Sequence, residues 1–332
     1  MTETCLLEVV HGSRLYGTVH AESDLDITTV WLPSAQDVLL GETDWTIKDT
    51  NGHRPNTKND VDHERMDLLR FVRSLADGQA PLIELLFAPE ENHRVPAHPV
   101  FATLVDNLDL AVPCKPARFL TYMEAQAPSF GIRSPRTEVA EKAAAHLERL
   151  ESALDVLKIA DVADELVKAL GSRFVSVGTS KTSQPMLFLC GKALAFGAAA
   201  RLAADAARRI ADQPSMAVGE TEKDWKSVYH ALRFAHEAIE FYTEGHIEFP
   251  RKDAARLMAV KTGVVPEDEV ADEMRRLLDV VPRAAQASGL RDVADVDFLN
   301  DCVASVYARR VGSHFFPELS LDAFVPPAKR GL

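Results

Sequence analysis

The chain has 332 residues, and 37 Lys+Arg against 50 Asp+Glu give a formal net charge of −13. Hydrophobic residues at 46% and charged residues at 26% exclude a disordered or collagen-like chain, and the length suits about two domains. The acid excess also excludes a protein that coats nucleic acid through bulk positive charge, although a local basic groove is compatible with it.

Residues 6–10 form a short apolar run with β-branched members, closed by His11-Gly12-Ser13, and predict a buried strand. Residues 25–32 are rich in strand formers and stop at Pro33, which predicts a second strand. A third is expected at 43–48 and a fourth at 61–66, with a turn-rich His53-Arg54-Pro55-Asn56-Thr57 between them. Beyond this the period changes. Leu68, Leu69, Phe71, Val72 and Leu75 recur at helical spacing, and a second helical run, 82–87, follows Gly78 and Pro81.

From about residue 115 the pattern is almost wholly helical. Helices are expected over 119–126, 139–158, 162–170, 186–210, 225–243, 253–260, 267–286 and 296–309. The economical architecture is α+β: a small mixed β-sheet domain at 1–114, then a mostly α-helical domain at 115–332. Pro89, Pro96, Pro99, Pro113 and Pro116 mark the hinge region. The most apolar long run, 193–211, is broken by Arg201, Asp205, Arg208 and Arg209, so no membrane span is expected. The N-terminus lacks the basic flank of a signal peptide. Cys5, Cys114, Cys190 and Cys302 share no short spacing, so neither a zinc site nor a secreted disulfide framework is signalled. A cytoplasmic protein fits these features.

The informative stretch is His11-Gly12-Ser13-Arg14-Leu15-Tyr16-Gly17, followed by Ser23-Asp24-Leu25-Asp26-Ile27. A strand ends, Gly12 allows a tight turn, and Ser13 opens a short helix. Such a turn offers free backbone N–H groups and the positive end of a helix dipole, which suit a polyphosphate. Asp24 and Asp26 lie two apart on a predicted strand, so their side chains share a face. Paired carboxylates beside a phosphate-binding turn are what Mg²⁺ needs next to a nucleotide. Taken singly, Asp-x-Asp and Gly-Ser usually mark turns or solvated strand ends. Their coincidence, on two apolar strands, carries the weight.

Gly12-Ser13 with Asp24-Leu25-Asp26-Ile27 resembles the signature of the DNA polymerase beta superfamily of nucleotidyltransferases. More narrowly, residues 12–18 with Ser23-Asp24-Leu25-Asp26 look like the predicted bacterial and phage nucleotidyltransferases grouped with the RNA-repair-pathway branch. The segments 67–71 and 80–86 are similar to that branch's helix pair. A second distinctive block is 224–233, running into Thr243-Glu244-Gly245 and Phe249-Pro250. Phe119-Leu120-Thr121-Tyr122 with Gln126, and Gly131-Ile132-Arg133, match more loosely.

The resemblance implies transfer of a nucleoside monophosphate from a nucleoside triphosphate to an acceptor hydroxyl, with release of pyrophosphate. Asp24, Asp26 and a third carboxylate would hold two Mg²⁺ (or Mn²⁺) ions. The third acid is expected among Asp60, Asp62 and Glu64, with Asp62 chosen and Glu64 in reserve. A charged edge strand is the bland reading of that cluster. Gly12, Ser13 and Arg14 would take the phosphates, and Lys226, His230 and Arg233, at i, i+4 and i+7, would face the nucleotide from one helix. Trp225 and Tyr229 flank that face as stacking candidates, with Gln126, Arg133 and Lys192 as weaker contacts. His11 is expected to pack near the turn. An RNA or tRNA end is the favoured acceptor. The alternatives are a protein or small-molecule hydroxyl, or a non-catalytic nucleotide-binding module.

Overall fold

Strands β1 (Thr4–Val10) and β2 (Leu25–Leu32) pair antiparallel, and the short helix α1 (Ser13–Tyr16) sits between them in sequence. The computed structural model describes residues 4–20, 23–50, 61–132, 135–170, 174–180, 183–212, 223–316 and 326. After α2 (Ala35–Leu40) come β3 (Thr46–Thr50) and β4 (Val61–Asp67), and β4 runs directly into α3 (Leu68–Ala76). Then follow α4 (Ala80–Leu86), β5 (His93–Val95), α5 (Pro99–Asp106) and α6 (Leu108–Ala111).

These strands form a five-stranded sheet in the order β3-β4-β2-β1-β5. The β2–β4 pair is parallel and the other neighbours are antiparallel, so the sheet is mixed, as the sequence predicts. The junction between β4 and α3 is fixed by Asp67. Its buried carboxylate accepts from Arg70 N at 2.8 Å, capping the helix, and from Trp45 N at 2.7 Å. Leu68, Phe71, Val72 and Leu75 then place the apolar stripe of α3 in the core, where Phe71 meets Phe101 edge-on.

The later elements are α7 (Pro116–Gln126), α8 (Pro135–Glu148), α9 (Ile159–Leu170), β6 (Val175–Thr179), β7 (Pro185–Leu189) and β8 (Lys192–Ala195). The chain continues through α10 (Arg201–Ala211), α11 (Trp225–Glu244), α12 (Ala254–Lys261), α13 (Glu267–Ala287) and α14 (Val296–Phe315). Two compact units result. One comprises 1–120, 232–264 and 279–332, the other 121–231 and 265–278. The chain first passes from one unit to the other after residue 120. The division is not a single cut, because two later segments belong with the N-terminal sheet.

The second unit is not wholly helical. Its core gathers apolar residues of α8, α9 and α10 with Val175, Leu187, Leu189 and Cys190 of a three-stranded antiparallel sheet, β6-β7-β8. The helix expected over 186–210 is therefore corrected to two strands and a helix that starts at Arg201. Leu187 and Leu189 are buried while Met186 and Phe188 are half-buried, a period of two rather than 3.6. The turn uses positive φ at Cys190 (48°) and Gly191 (83°). Among the described residues no helix is long and apolar enough to cross a membrane.

Candidate functional site

At the end of β1, His11 N donates to Asp26 O at 3.0 Å, tying the turn to β2. Gly12 follows with φ 62° and ψ −143°, a region that only glycine adopts without strain. From there the chain enters α1, and Tyr16 N donates to Gly12 O at 3.1 Å. The carboxylate of Asp26 lies directly over Gly12. A β-carbon added to that glycine would stand 1.8 Å from Asp26 Oδ2 and 2.7 Å from its Cγ. The glycine is thus needed twice, for its backbone angles and for the room it leaves.

The parallel register of β2 and β4 makes Asp26 and Asp62 direct partners, and Thr28 and Glu64 the next pair on the same face. Neighbouring strands lie about 4.8 Å apart, so the Asp26 and Asp62 side chains leave adjacent positions on one face of the sheet. Asp62 is exposed, Glu64 half-buried, and Asp24 half-buried one residue before β2 begins. Asp60 lies outside the described residues. No group of three His, Cys, Asp or Glu side chains among the described residues is gathered closely enough to cage a metal ion. The donor chemistry still fits Mg²⁺. That ion takes hard oxygens, and it is commonly held by one or two carboxylates with substrate phosphates and water rather than by an all-protein cage.

His11 is half-buried beside this face, its Nε2 2.9 Å from Thr28 Oγ1. Burial lowers its pKa from the usual histidine value, against the opposing pull of Asp26, Glu84 and Glu64. It packs at the turn, as the sequence suggests. Ser13 is half-buried and Arg14 exposed on α1.

Behind the turn lies a buried polar network that no sequence motif announced. Tyr16 donates its hydroxyl to Glu84 Oε2 at 2.6 Å. Arg233 Nη1 donates to Glu84 Oε1 at 2.8 Å and to Glu237 Oε1 and Oε2 at 2.8 and 2.9 Å. The side chains of Arg233, Glu84 and Glu237 are only 2%, 2% and 0% exposed. This corrects the expectation for Arg233. Its guanidinium stacks 3.8 Å above the Tyr16 ring and is spent on two carboxylates inside the protein, so it has no surface to offer a nucleotide. The available hint was the lone acid Glu84 within the apolar stripe of α4, together with the i, i+4 spacing of Arg233 and Glu237.

Lys226 and His230 fall in the second unit. Lys226 is exposed, and half-buried His230 lies between two rings, 5.6 Å from Tyr122 and 5.0 Å from Tyr229. Tyr229 is itself buried, and Trp225 packs edge-on against Phe130 at 6.2 Å. Burial takes Tyr229 out of the expected stacking role, whereas Trp225 is only half-buried. Gln126 ends α7 and Lys192 opens β8, whereas Arg133 lies outside the described residues.

Fold and site together define an α+β protein whose mixed sheet presents adjacent carboxylates beside a glycine turn. The chain is 26% identical over 330 residues to the "Uncharacterized 38.9 kDa protein in nrdC-mobD intergenic region" of Enterobacteria phage T4, an alignment covering 92% of this chain and 97% of that protein. No protein-family model matches the chain, and no solved structure matches it.

Proposed function

We propose that this protein is a metal-dependent nucleotidyltransferase that moves a nucleoside monophosphate from a nucleoside triphosphate to an acceptor hydroxyl, releasing pyrophosphate. The observation that carries this reading is the placement of Asp26, whose carboxylate covers Gly12 and has Asp62 as its neighbour across the parallel strands. A lone acidic pair would mean little. The Asp26 carboxylate over the turn that opens α1 brings cation-binding oxygens beside the backbone N–H groups of a helix start, as a triphosphate needs.

In this reading the turn amides after Gly12 and the Ser13 hydroxyl hold the β- and γ-phosphates, with Arg14 at the rim. Asp24 and Asp26 would hold Mg²⁺ or Mn²⁺ together with Asp62, with Glu64 in reserve. Held there, such a cation would supply Lewis-acid charge at the α-phosphate and lower the pKa of the acceptor hydroxyl. That oxygen forms its bond to the α-phosphorus in line with the departing pyrophosphate oxygen. Its proton passes to an Oδ of Asp62, the exposed acid of the pair. The favoured acceptor is an RNA or tRNA end, and the cytoplasm the proposed place of action.

The test is incubation with each labelled nucleoside triphosphate, Mg²⁺ or Mn²⁺, and acceptors that include total tRNA and the protein itself. Products are compared by mass with those of Asp26→Ala. Transfer that disappears in the variant supports the reading. No transfer by the wild type, or transfer by Asp26→Ala at the wild-type rate, refutes it. A labelled protein band instead of labelled RNA would move the acceptor to a side-chain hydroxyl.

A further inference from the structure

Helix α1 is only four residues long, and a single turn of helix does not hold its shape alone. Its orientation must come from what it touches. At the front, Asp26 covers Gly12. At the rear, Tyr16 is gripped on every side. Its hydroxyl donates to Glu84 at 2.6 Å, Arg233 lies on its ring at 3.8 Å, and Phe249 stands 6.0 Å away by centroid. Its carbonyl accepts from Arg251 N at 3.2 Å. Gly17, next along, approaches Pro250 so closely that a β-carbon would come within 2.9 Å of that ring.

A buried tyrosine could meet its packing needs with a phenyl ring alone. The hydroxyl adds a directional bond to a carboxylate that is itself held by Arg233, and such charge-assisted bonds fix geometry more tightly than apolar contact does. Tyr16 closes the single turn of α1, its N donating to Gly12 O at 3.1 Å, so holding Tyr16 in place also holds the Gly12–Ser13 bend.

We propose that Tyr16 is a positioning residue for nucleotide binding: the Tyr16–Glu84–Arg233 chain presets the Gly12–Ser13 turn so that its N–H groups meet a triphosphate without rearrangement. This rests on the nucleotidyltransferase reading above. The benefit falls on binding, because a turn already ordered loses less freedom when the ligand arrives. Tyr16 touches neither the acceptor nor the reacting phosphorus and leaves the chemical step alone.

The experiment uses the full chain with Tyr16→Phe and, as a control, Tyr242→Phe, which removes the hydroxyl of another buried tyrosine, packed edge-on against Phe119. Dissociation constants for Mg²⁺ and a fluorescent nucleoside triphosphate, KM, kcat and melting temperature are measured for each. Tyr16→Phe is expected to weaken binding and raise KM about fivefold to tenfold, the loss carried by one hydrogen bond, with kcat within about twofold. Its melting temperature should fall by no more than about 3 °C. Tyr242→Phe should bind as the wild type does. Wild-type affinity in Tyr16→Phe, whatever its melting temperature, overturns the positioning role and leaves the transferase reading standing. A wild type that binds no nucleotide overturns both.

Discussion

Gly12 and Asp26 contend for one small volume, since the β-carbon any other residue would carry at position 12 falls 1.8 Å from the Asp26 carboxylate. Gly12→Ala therefore meets two penalties. The backbone at φ 62°, ψ −143° is strained for alanine by about 1–3 kcal/mol, and the acid must swing off the turn. Gly12→Ala is expected to lose that much unfolding free energy in urea and to lose nucleotide transfer. Ser13→Ala, with no such collision, should stay within about 0.5 kcal/mol of the wild type. A Gly12→Ala protein as active as the wild type would make the approach of Asp26 incidental.

The register of β2 and β4 ranks the two candidate acids of the proposed site. Asp62 stands opposite Asp26, whereas Glu64 stands opposite Thr28, one pair further along. Asp62→Asn and Asp26→Asn should each lower kcat/KM roughly a hundredfold or more, the scale of losing a preorganised charge in a transfer reaction. Glu64→Gln should cost less than about tenfold. Asp62 is exposed, so Asp62→Asn should unfold at the wild-type urea concentration. Steady-state kinetics over a Mg²⁺ titration measures this, and a Glu64→Gln loss exceeding that of Asp62→Asn would reverse the assignment.

Local pattern explains what could be read from the sequence. The strand ending at His11-Gly12, the apolar strand opened by Asp26 and the helix stripe from Leu68 each depend on neighbours within a few residues, where period and turn chemistry act. Partners set by distant packing were not legible. Arg233 and Glu84 are 149 residues apart, so a cation that reads as one face of a helix proves to be sealed in the core. Residues 186–195 read as helix because short apolar runs fit both periods, and only the burial of Leu187 and Leu189 in a sheet separates them. The pairing of Asp26 with Asp62 likewise follows from a parallel register that no local signal encodes.

Removing Arg233 would strand two acids in a dry interior. Glu84 and Glu237 both accept from its Nη1, and neither is appreciably exposed. Arg233→Ala is expected to cost about 3–5 kcal/mol of unfolding free energy, much of it the penalty of leaving two buried acid groups without their donor. If that is the cause, adding Glu84→Gln and Glu237→Gln to Arg233→Ala should recover part of the loss. Urea titrations of the single and triple variants measure the coupling. A triple variant less stable than Arg233→Ala would show that the network acts through packing rather than charge.

The same network predicts how stability varies with pH. Burial pushes the Glu237 carboxyl well above the usual glutamate value of 4.5, with nearby Glu84 adding to the shift and Arg233 and Arg251 opposing it. In the fold it therefore keeps a proton that the unfolded chain releases near 4.5. A group raised in this way contributes stability that is complete below its unfolded pKa and is lost as the pH rises towards its folded one. Glu237→Gln carries the neutral form at every pH and lacks this term. The stability of the wild type relative to Glu237→Gln should thus fall as the pH rises from 4.5, by at most about 1.4 kcal/mol per pH unit. Urea midpoints of both proteins from pH 4 to about 8 give the difference directly. A difference that rises with pH would mean that Arg233 outweighs burial and holds Glu237 ionised, and the direction argued here would be reversed.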